Sequence, residues 1–235
     1  MLLEVKNING YYGRAHVLHG ISLEVAQGEL VCVFGRNGVG KSTTLKSIAG
    51  LVAVKSGHII FKGSELLGLP PYRITRLGMG YVPEERRIFT NLTVDENLRA
   101  GIKLYEKARE NSWTKDRFYQ LFPEIKERSH HRGAHLSGGE QQILTIGRTL
   151  MGNPDLIMVD EPTEGLAPLL VERIFQLLKE IKESGVSILL VDNLIYETVN
   201  LATRVYVISK GEIVFQGSPD KFMENEDVIN KYLEV

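Results

Sequence analysis

The sequence predicts an α/β fold: a parallel strand core joined to an antiparallel β subdomain and interrupted by an inserted helical subdomain. Three observations predict it. Residues 30–50, "LVCVFGRNGVGKSTTLKSIAG", read as an apolar strand, a glycine loop and a helix in immediate succession. Two later runs, "DLIMVDEP" and "VSILLV", are continuously apolar over a strand's length, as strands buried on both faces of a parallel sheet are. From about Thr93 to Gly152, strand signals give way to helical ones.

The elements follow in order. "LLEVKNI" and "LHGISLEV" alternate apolar with polar residues and read as half-buried antiparallel strands, with "AQGE" turning into the strand "LVCVFG". The helix after the glycine loop runs from Lys41 to about Leu51 and ends near Gly50. "SGHIIFKG" reads as another strand, and "MGYVPEE" as a short one entering a loop. Past the helical stretch, "RVYVISKGEIVFQG" carries two β runs around Lys210-Gly211, a hairpin signal. "ENEDVINKYLEV" reads as a short amphipathic helix closing the domain. The expected organisation is one domain over 1–235, with core and β subdomain in 1–90 and 153–235 and the helical subdomain in 91–152.

Composition narrows the function. The 28 Lys and Arg balance 29 Asp and Glu to a net charge of −1, which gives no electrostatic footprint for nucleic acid or an anionic membrane. No run of eighteen apolar residues exists to span a bilayer. The start, "MLLEVKNING", lacks signal-peptide architecture. The single Cys32 lies inside an apolar run, excludes a disulfide framework and reads as a small core residue. The expectation is a cytosolic protein.

The loop after the third strand matches G-x-x-x-x-G-K-[ST] through Gly35, Gly40, Lys41 and Ser42. Its glycines, Gly35, Gly38 and Gly40, let backbone N–H groups converge on an anion at the positive end of the following helix. Arg36, Asn37, Val39 and Thr43 complete the expected binding loop. Lys41 is placed to reach the outer phosphates of a nucleoside triphosphate, and the Ser42 hydroxyl to ligate Mg²⁺. A glycine-rich turn with an incidental Lys-Ser is the ordinary alternative, and the strand before the loop argues against it. The loop resembles that of the P-loop NTPases, and the resemblance implies a RecA-like parallel-sheet core.

A second helix start carries the same chemistry. "HLSGGEQQILTIGRTL" places Ser137, Gly138 and Gly139 before a helix whose Ile143, Ile146, Gly147 and Leu150 make one apolar stripe. Ser137 with Glu140 also fits a capping box, so an ordinary helix start remains open on local grounds. Downstream, "LIMVDEP" ends a strand in Asp160 and Glu161, where a magnesium-side carboxylate and a second acid are expected after a P-loop.

"GRNGVGKST", "GYVPEE", "LSGGEQQ", "LIMVDEP" and "EGLAP", in that order, resemble the ATP-binding-cassette (ABC) ATPases over essentially the whole chain. The resemblance implies that each chain holds one ATP on its own P-loop. The Ser-Gly-Gly of a second chain closes over that ATP, making a head-to-tail dimer. It places Tyr12 as the ring stacking on adenine, with Tyr11 as the rival by register. Asp160 would hold magnesium through water, and Glu161 would orient and polarise the attacking water. Glu164 to Pro168 would sense the opposite protomer. Arg148 is expected in structural ion pairs rather than as a catalytic finger.

Two positions depart from the commonest pattern of that family. Glu84 stands where glutamine is usual; it can ligate magnesium but adds negative charge. Asn193 stands where a histidine is usual, and an amide cannot shuttle a proton near neutral pH. A helix cap for a segment starting near Ile195 is the competing reading of Asn193. With "VPE-x-RR-x-F", "SGGEQQ" and "GLAP", the chain resembles the ATPase subunits of branched-chain amino-acid importers and their urea or short-amide relatives. That resemblance implies a second ATPase subunit, integral membrane permeases and, indirectly, a substrate-binding protein as partners. It also implies a cytoplasmic, peripheral location on the inner face of the cell membrane. The rivals are a lipopolysaccharide-export type ATPase, a non-transport ABC ATPase and a metabolite kinase. "LSGGEQQ" has no use in the last. His130, His131 and His135 read as a solvated loop, and Trp113 as packing of the helical stretch.

Overall fold

The computed structural model describes residues 1–102 and 111–233. Two sheets organise it. An antiparallel sheet has the order β2-β1-β4-β5, from β1 (Leu3–Tyr12), β2 (Ala15–Val25), β4 (Ala53–Phe61) and β5 (Ser64–Glu65). The larger sheet has the order β10-β9-β3-β8-β7-β6. Its strands are β3 (Leu30–Phe34), β6 (Met79–Val82), β7 (Leu156–Asp160), β8 (Ser187–Val191), β9 (Arg204–Ser209) and β10 (Glu212–Gly217). All are parallel except β10, which returns on β9 through a hairpin. Lys210 and Gly211 hold φ of 50° and 79°, the left-handed pair that a two-residue hairpin matched to sheet twist requires.

The helices are α1 (Lys41–Ile48), α2 (Pro71–Arg76), α3 (Val94–Gly101), α4 (Lys115–Leu121), α5 (Pro123–Glu127), α6 (Gly138–Leu150), α7 (Pro168–Glu183), α8 (Ile195–Val199), α9 (Pro219–Met223) and α10 (Glu226–Tyr232). Between Thr93 and Gly152 the described residues hold helices, one 3₁₀ turn at Gly133–His135 and an isolated bridge from Thr93 to Arg132. Residues 103–110 of the expected helical stretch, and 234–235 of the expected closing helix, lie outside the described residues.

Every residue of β3, β7 and β8 is buried, because both faces of the sheet are covered. Leu30, Cys32 and Phe34 face a cluster with Ile143, Ile174, Leu178 and Phe222; Val31 and Val33 face another with Leu45, Ile48 and the antiparallel sheet. Cys32 is a core residue whose thiol is pushed up out of the usual range by burial. Trp113 is 2% exposed and donates its indole N–H to Ser184 Oγ at 3.1 Å. Gly147 of α6 is where the Phe118 ring sits: a Cβ there would fall against the ring's edge atoms.

Three strands start or end beyond their sequence signals. β1 and β2 continue to a two-residue turn, pairing Tyr12 with Ala15. Register shifts between Val5 and Ile8 and between Gly10 and Tyr11, with Asn7 at φ 52°, break the two-residue period that reveals a strand. β4 likewise begins at Ala53, three residues ahead of the Ser56 start of the strand signal.

Candidate active site

The C-terminal ends of β3, β7 and β8 lie side by side, so the loops leaving them share one crevice, the usual ligand position in an open parallel sheet. The loop after β3 is the P-loop. Gly40, at φ 114°, is the N-cap of α1 and makes no side-chain cap bond, so the first N–H groups of α1 are open to an anion. A Cβ on Gly35 would sit 2.8 Å from Val39 Cγ2 and inside contact of the Ile208 carbonyl, so that close approach admits only glycine. Gly211 N–H donates to the Val39 carbonyl at 2.9 Å, tying the β9–β10 hairpin to the loop.

Lys41, 3% exposed, is the hub. Its Nζ donates to the Gly35 carbonyl at 2.8 Å and the Arg36 carbonyl at 3.3 Å, and to Asn37 Oδ1 at 3.4 Å. It also donates to Asn193 Oδ1 at 3.1 Å and pairs with Glu161 Oε1 at 3.2 Å. Asn193 Nδ2 closes the triangle on Glu161 Oε2 at 2.9 Å. The three groups come from the ends of α1, β7 and β8. Asn193 does not cap α8: the N-cap is Leu194, with no side-chain cap bond. Glu161 holds φ 43°, unusual for a residue with a Cβ, and its N–H bonds the Val191 carbonyl at 2.8 Å. That turn directs the acid away from the line of β7.

Asp160 is fully buried, and desolvation raises its pKa. Tyr81 donates its hydroxyl to Oδ2 at 3.0 Å. The Ser42 hydroxyl also favours the charged form, while among the described residues Oδ1 has no hydrogen-bond partner of ordinary geometry. Burial beside Asp160 pushes the Tyr81 phenol well up, so Tyr81 stays the donor. A cavity of about 270 Å³ is lined by Asn37, Gly38, Gly40, Lys41, Ser42, Thr43, Glu84, Glu161 and Glu164. Glu164 has a raised pKa, first through hydrogen bonding to Glu161 and also through Glu84. The orphaned Oδ1 of Asp160, with the oxygens of Ser42 and Glu84 nearby, suits a hard cation such as Mg²⁺.

The second helix start lies apart from this cavity. Ser137 and Glu140 form the full capping box: Glu140 N–H donates to Ser137 Oγ at 3.4 Å and Ser137 N–H to Glu140 Oε2 at 2.7 Å. Gly139 is the seat of Leu170 at the start of α7, and the space beside Gly138 is filled by Arg86. Of the two tyrosines, Tyr11 is stacked on His16, centroids 4.3 Å apart, with Lys55 Nζ 4.0 Å above its ring. Tyr12 is 49% exposed at the hairpin tip. Arg148 departs from expectation: among the described residues it makes no ion pair. It donates to the Arg87 carbonyl and lies 4.7 Å over the Phe89 ring, because its surroundings are carbonyls and an aromatic face rather than acids. His130, His131 and His135 are exposed.

Sequence reasoning missed Tyr81 and Asp192. Asp192 is 1% exposed, accepts from Thr163 Oγ1 at 2.8 and 2.9 Å and from Leu194 N–H at 2.9 Å, and so holds the turn that presents Asn193. The available signal was a hydroxyl or carboxylate inside or beside an apolar strand, which must find a buried partner.

A P-loop, an acid pair at the end of β7, one strand removed from β3 in the same sheet, and a second anion-ready helix start define a P-loop ATPase. Residues 18–164 match the family model described as ABC transporter, and the chain belongs to that family as an ATP-binding, ATP-hydrolysing subunit. It is similar to the high-affinity branched-chain amino acid transport ATP-binding protein BraG of Pseudomonas aeruginosa: 40% identical over 232 residues, 99% of this chain and 99% of that one. It is 34% identical over 233 residues to the lipopolysaccharide export system ATP-binding protein LptB of Escherichia coli, covering 98% of this chain and 96% of that one. A solved dimeric ATP-binding cassette in a post-hydrolysis state, bound to ADP and Pi, superposes with a TM-score of 0.78 at 25% identity, covering 92% of this chain and 98% of that one. The expected α/β fold with a P-loop NTPase core is thereby established. Among the described residues no helix is long and apolar enough to cross a membrane.

Proposed function

We propose that this ATPase energises uptake of branched-chain or related amino acids through separate membrane permease subunits, working peripherally on the cytoplasmic face of the membrane. The observation that carries the cargo class is the 40% identity to BraG over nearly the full length of both chains, against 34% to LptB. The permeases, a second ATPase subunit and a substrate-binding protein are the partners this reading requires.

ATP binds with its outer phosphates in the Gly35–Thr43 loop and its adenine on Tyr12. Lys41 exchanges its loop carbonyls for phosphate oxygens, and that exchange frees Glu161 from its ion pair. Ser42 and Asp160, with Glu84 as a further oxygen, would hold Mg²⁺, and the chemistry it would supply there is charge neutralisation at the transferring phosphoryl group. Glu161 orients the attacking water and accepts its proton, while Asn193 fixes the carboxylate through its amide N–H. Ser137, Gly138 and Gly139 close over the ATP of a second subunit. Residues 91–152 form the subdomain that carries this helix start, and 1–90 with 153–235 the nucleotide-binding core. The closed dimer does work because it binds ATP better than the open form.

Deleting the gene in its own host tests the reading. Uptake of radiolabelled leucine falls, the unaltered gene restores it, and Glu161→Gln does not. Normal leucine uptake with lost urea uptake selects the urea-type relative; normal uptake with defective outer-membrane lipopolysaccharide selects export.

A further inference from the structure

We propose that Arg86 is a further phosphate-contacting residue, and that the phosphate it contacts belongs to the ATP held by a second copy of this chain. The inference rests on the reading above, in which the Ser137–Gly139 start closes over a partner's nucleotide.

Arg86 lies two residues past Glu84, exposed, in the loop that leaves β6. Its guanidinium lies directly over Gly138: Nη1 and Cζ fill the space a Cβ would take there, with Cζ 2.8 Å from that position. Nη2 reaches the carbonyl of Glu164 at 3.5 Å and passes 3.9 Å from the Cβ position of Gly165. The absence of side chains at Gly138 and Gly165 gives the planar group room.

Its charge is uncompensated. Among the described residues Arg86 makes no ion pair, and the long bond to Glu164 is its one hydrogen bond. Arg87 holds the nearby acid, pairing with Glu85 at 3.1 Å. The guanidinium also sits at the positive end of α6, a helix of 13 residues, where a cation is disfavoured. Glu140, the acid in the first turn of α6, is committed to the Ser137 N–H at 2.7 Å and to Arg128 at 3.2 Å. Most of its five donors thus meet no protein partner among the described residues, beside a helix start that itself favours an anion. A doubly accepting phosphate oxygen pair satisfies both groups at once.

That phosphate is not the chain's own. The cavity around the P-loop is lined by Glu84, Glu161 and Glu164, but by neither Arg86 nor any of Ser137, Gly138 and Gly139. Two copies related by a two-fold axis place each arginine on the other's nucleotide. Arg86 itself makes and breaks no bond. Water oxygen adds to the γ-phosphorus, its proton passes to Glu161, and the bridging oxygen leaves with ADP carrying the bond's electron pair. The guanidinium stabilises the charge that develops on the phosphoryl oxygens.

Mixed dimers test the assignment. Arg86→Ala should lower turnover by about 10- to 100-fold while ATP affinity of a single copy is retained, and Arg86→Lys should recover part of the loss. Two copies are then tethered, with one P-loop disabled by Lys41→Ala. With Lys41→Ala and Arg86→Ala on the same copy, the surviving P-loop faces the altered arginine, and turnover falls to the Arg86→Ala level. With the two changes on different copies, turnover equals that of the tethered dimer carrying Lys41→Ala alone. The reverse pattern places Arg86 on its own chain's ATP and overturns the proposal, as does unchanged or faster turnover in Arg86→Ala. Sizing the Glu161→Gln chain with Mg-ATP separates the two levels. If that chain stays monomeric, the dimer reading itself fails and takes Arg86 with it; if it dimerises while Arg86→Ala changes nothing, the Arg86 assignment alone fails.

Discussion

Asn193 sits between Lys41 and Glu161, the two groups to which the proposed mechanism assigns the chemistry, and its removal has a calculable cost. Its Nδ2 donates to Glu161 Oε2 at 2.9 Å, and its Oδ1 accepts from Lys41 Nζ at 3.1 Å. Asn193→Ala removes a hydrogen bond to a charged carboxylate, about 1.5–3 kcal/mol. If that bond orients Glu161 in the transition state, turnover falls roughly 10- to 150-fold. Lys41 itself, the charge partner of the outer phosphates, is untouched in this variant, so nucleotide affinity changes little. Asn193→His should add a pH dependence between about pH 5 and 8 that the amide cannot produce. Steady-state ATPase rates across pH, equilibrium binding of a fluorescent ATP analogue and a thermal melt of each variant make the assay. Lowered melting temperature with parental turnover in both variants would refute the reasoning and reduce Asn193 to a structural part.

Lys41→Ala should abolish tight Mg-ATP binding, since the outer phosphates lose their charge partner within the P-loop; unchanged affinity would remove the P-loop assignment. Glu161→Gln should retain ATP, lose about 10²-fold or more in turnover and accumulate an ATP-bound dimer; a fully active variant moves the base to Glu84. Asp192 has its pKa raised, first by burial, so the fold favours its protonated form. That contribution is present below the unfolded pKa and is lost as pH rises through the folded value. Melts between about pH 4 and 7 should therefore show Asp192→Asn gaining on the parent as pH rises, and a constant gap would contradict the raised pKa. Gly147→Ala should cost about 1–3 kcal/mol in denaturant unfolding, because the new Cβ meets the Phe118 ring, and Phe118→Leu in the same chain should return part of it.

The groups gathered in the candidate site were legible because phosphate chemistry confines them to short windows, Gly35 to Thr43 with Asp160 and Glu161; Ser137 to Gly139 form a separate window that the chain alone does not bring to them. The supports of the site groups were not legible, because each is a contact between distant residues. Tyr81 reaches Asp160 across 79 positions, and Thr163 reaches Asp192 across 29. The distances within the site depend on something still less visible. β3, β7 and β8 are buried throughout and apolar except for Asp160 and Ser187 at strand ends, so no alternation of polar residues indicates how they slide past one another. The fold settles it by pairing Val33 with Val191 and Asp160 with Val191, which puts the ends of all three strands at one level. From that level Gly35 to Lys41, Glu161 and Asn193 need only one short turn each to meet. A slip of one residue in β7 would move its side chains to opposite faces of the sheet and part Glu161 from both partners. Core packing on the two faces of these strands therefore sets the catalytic distances.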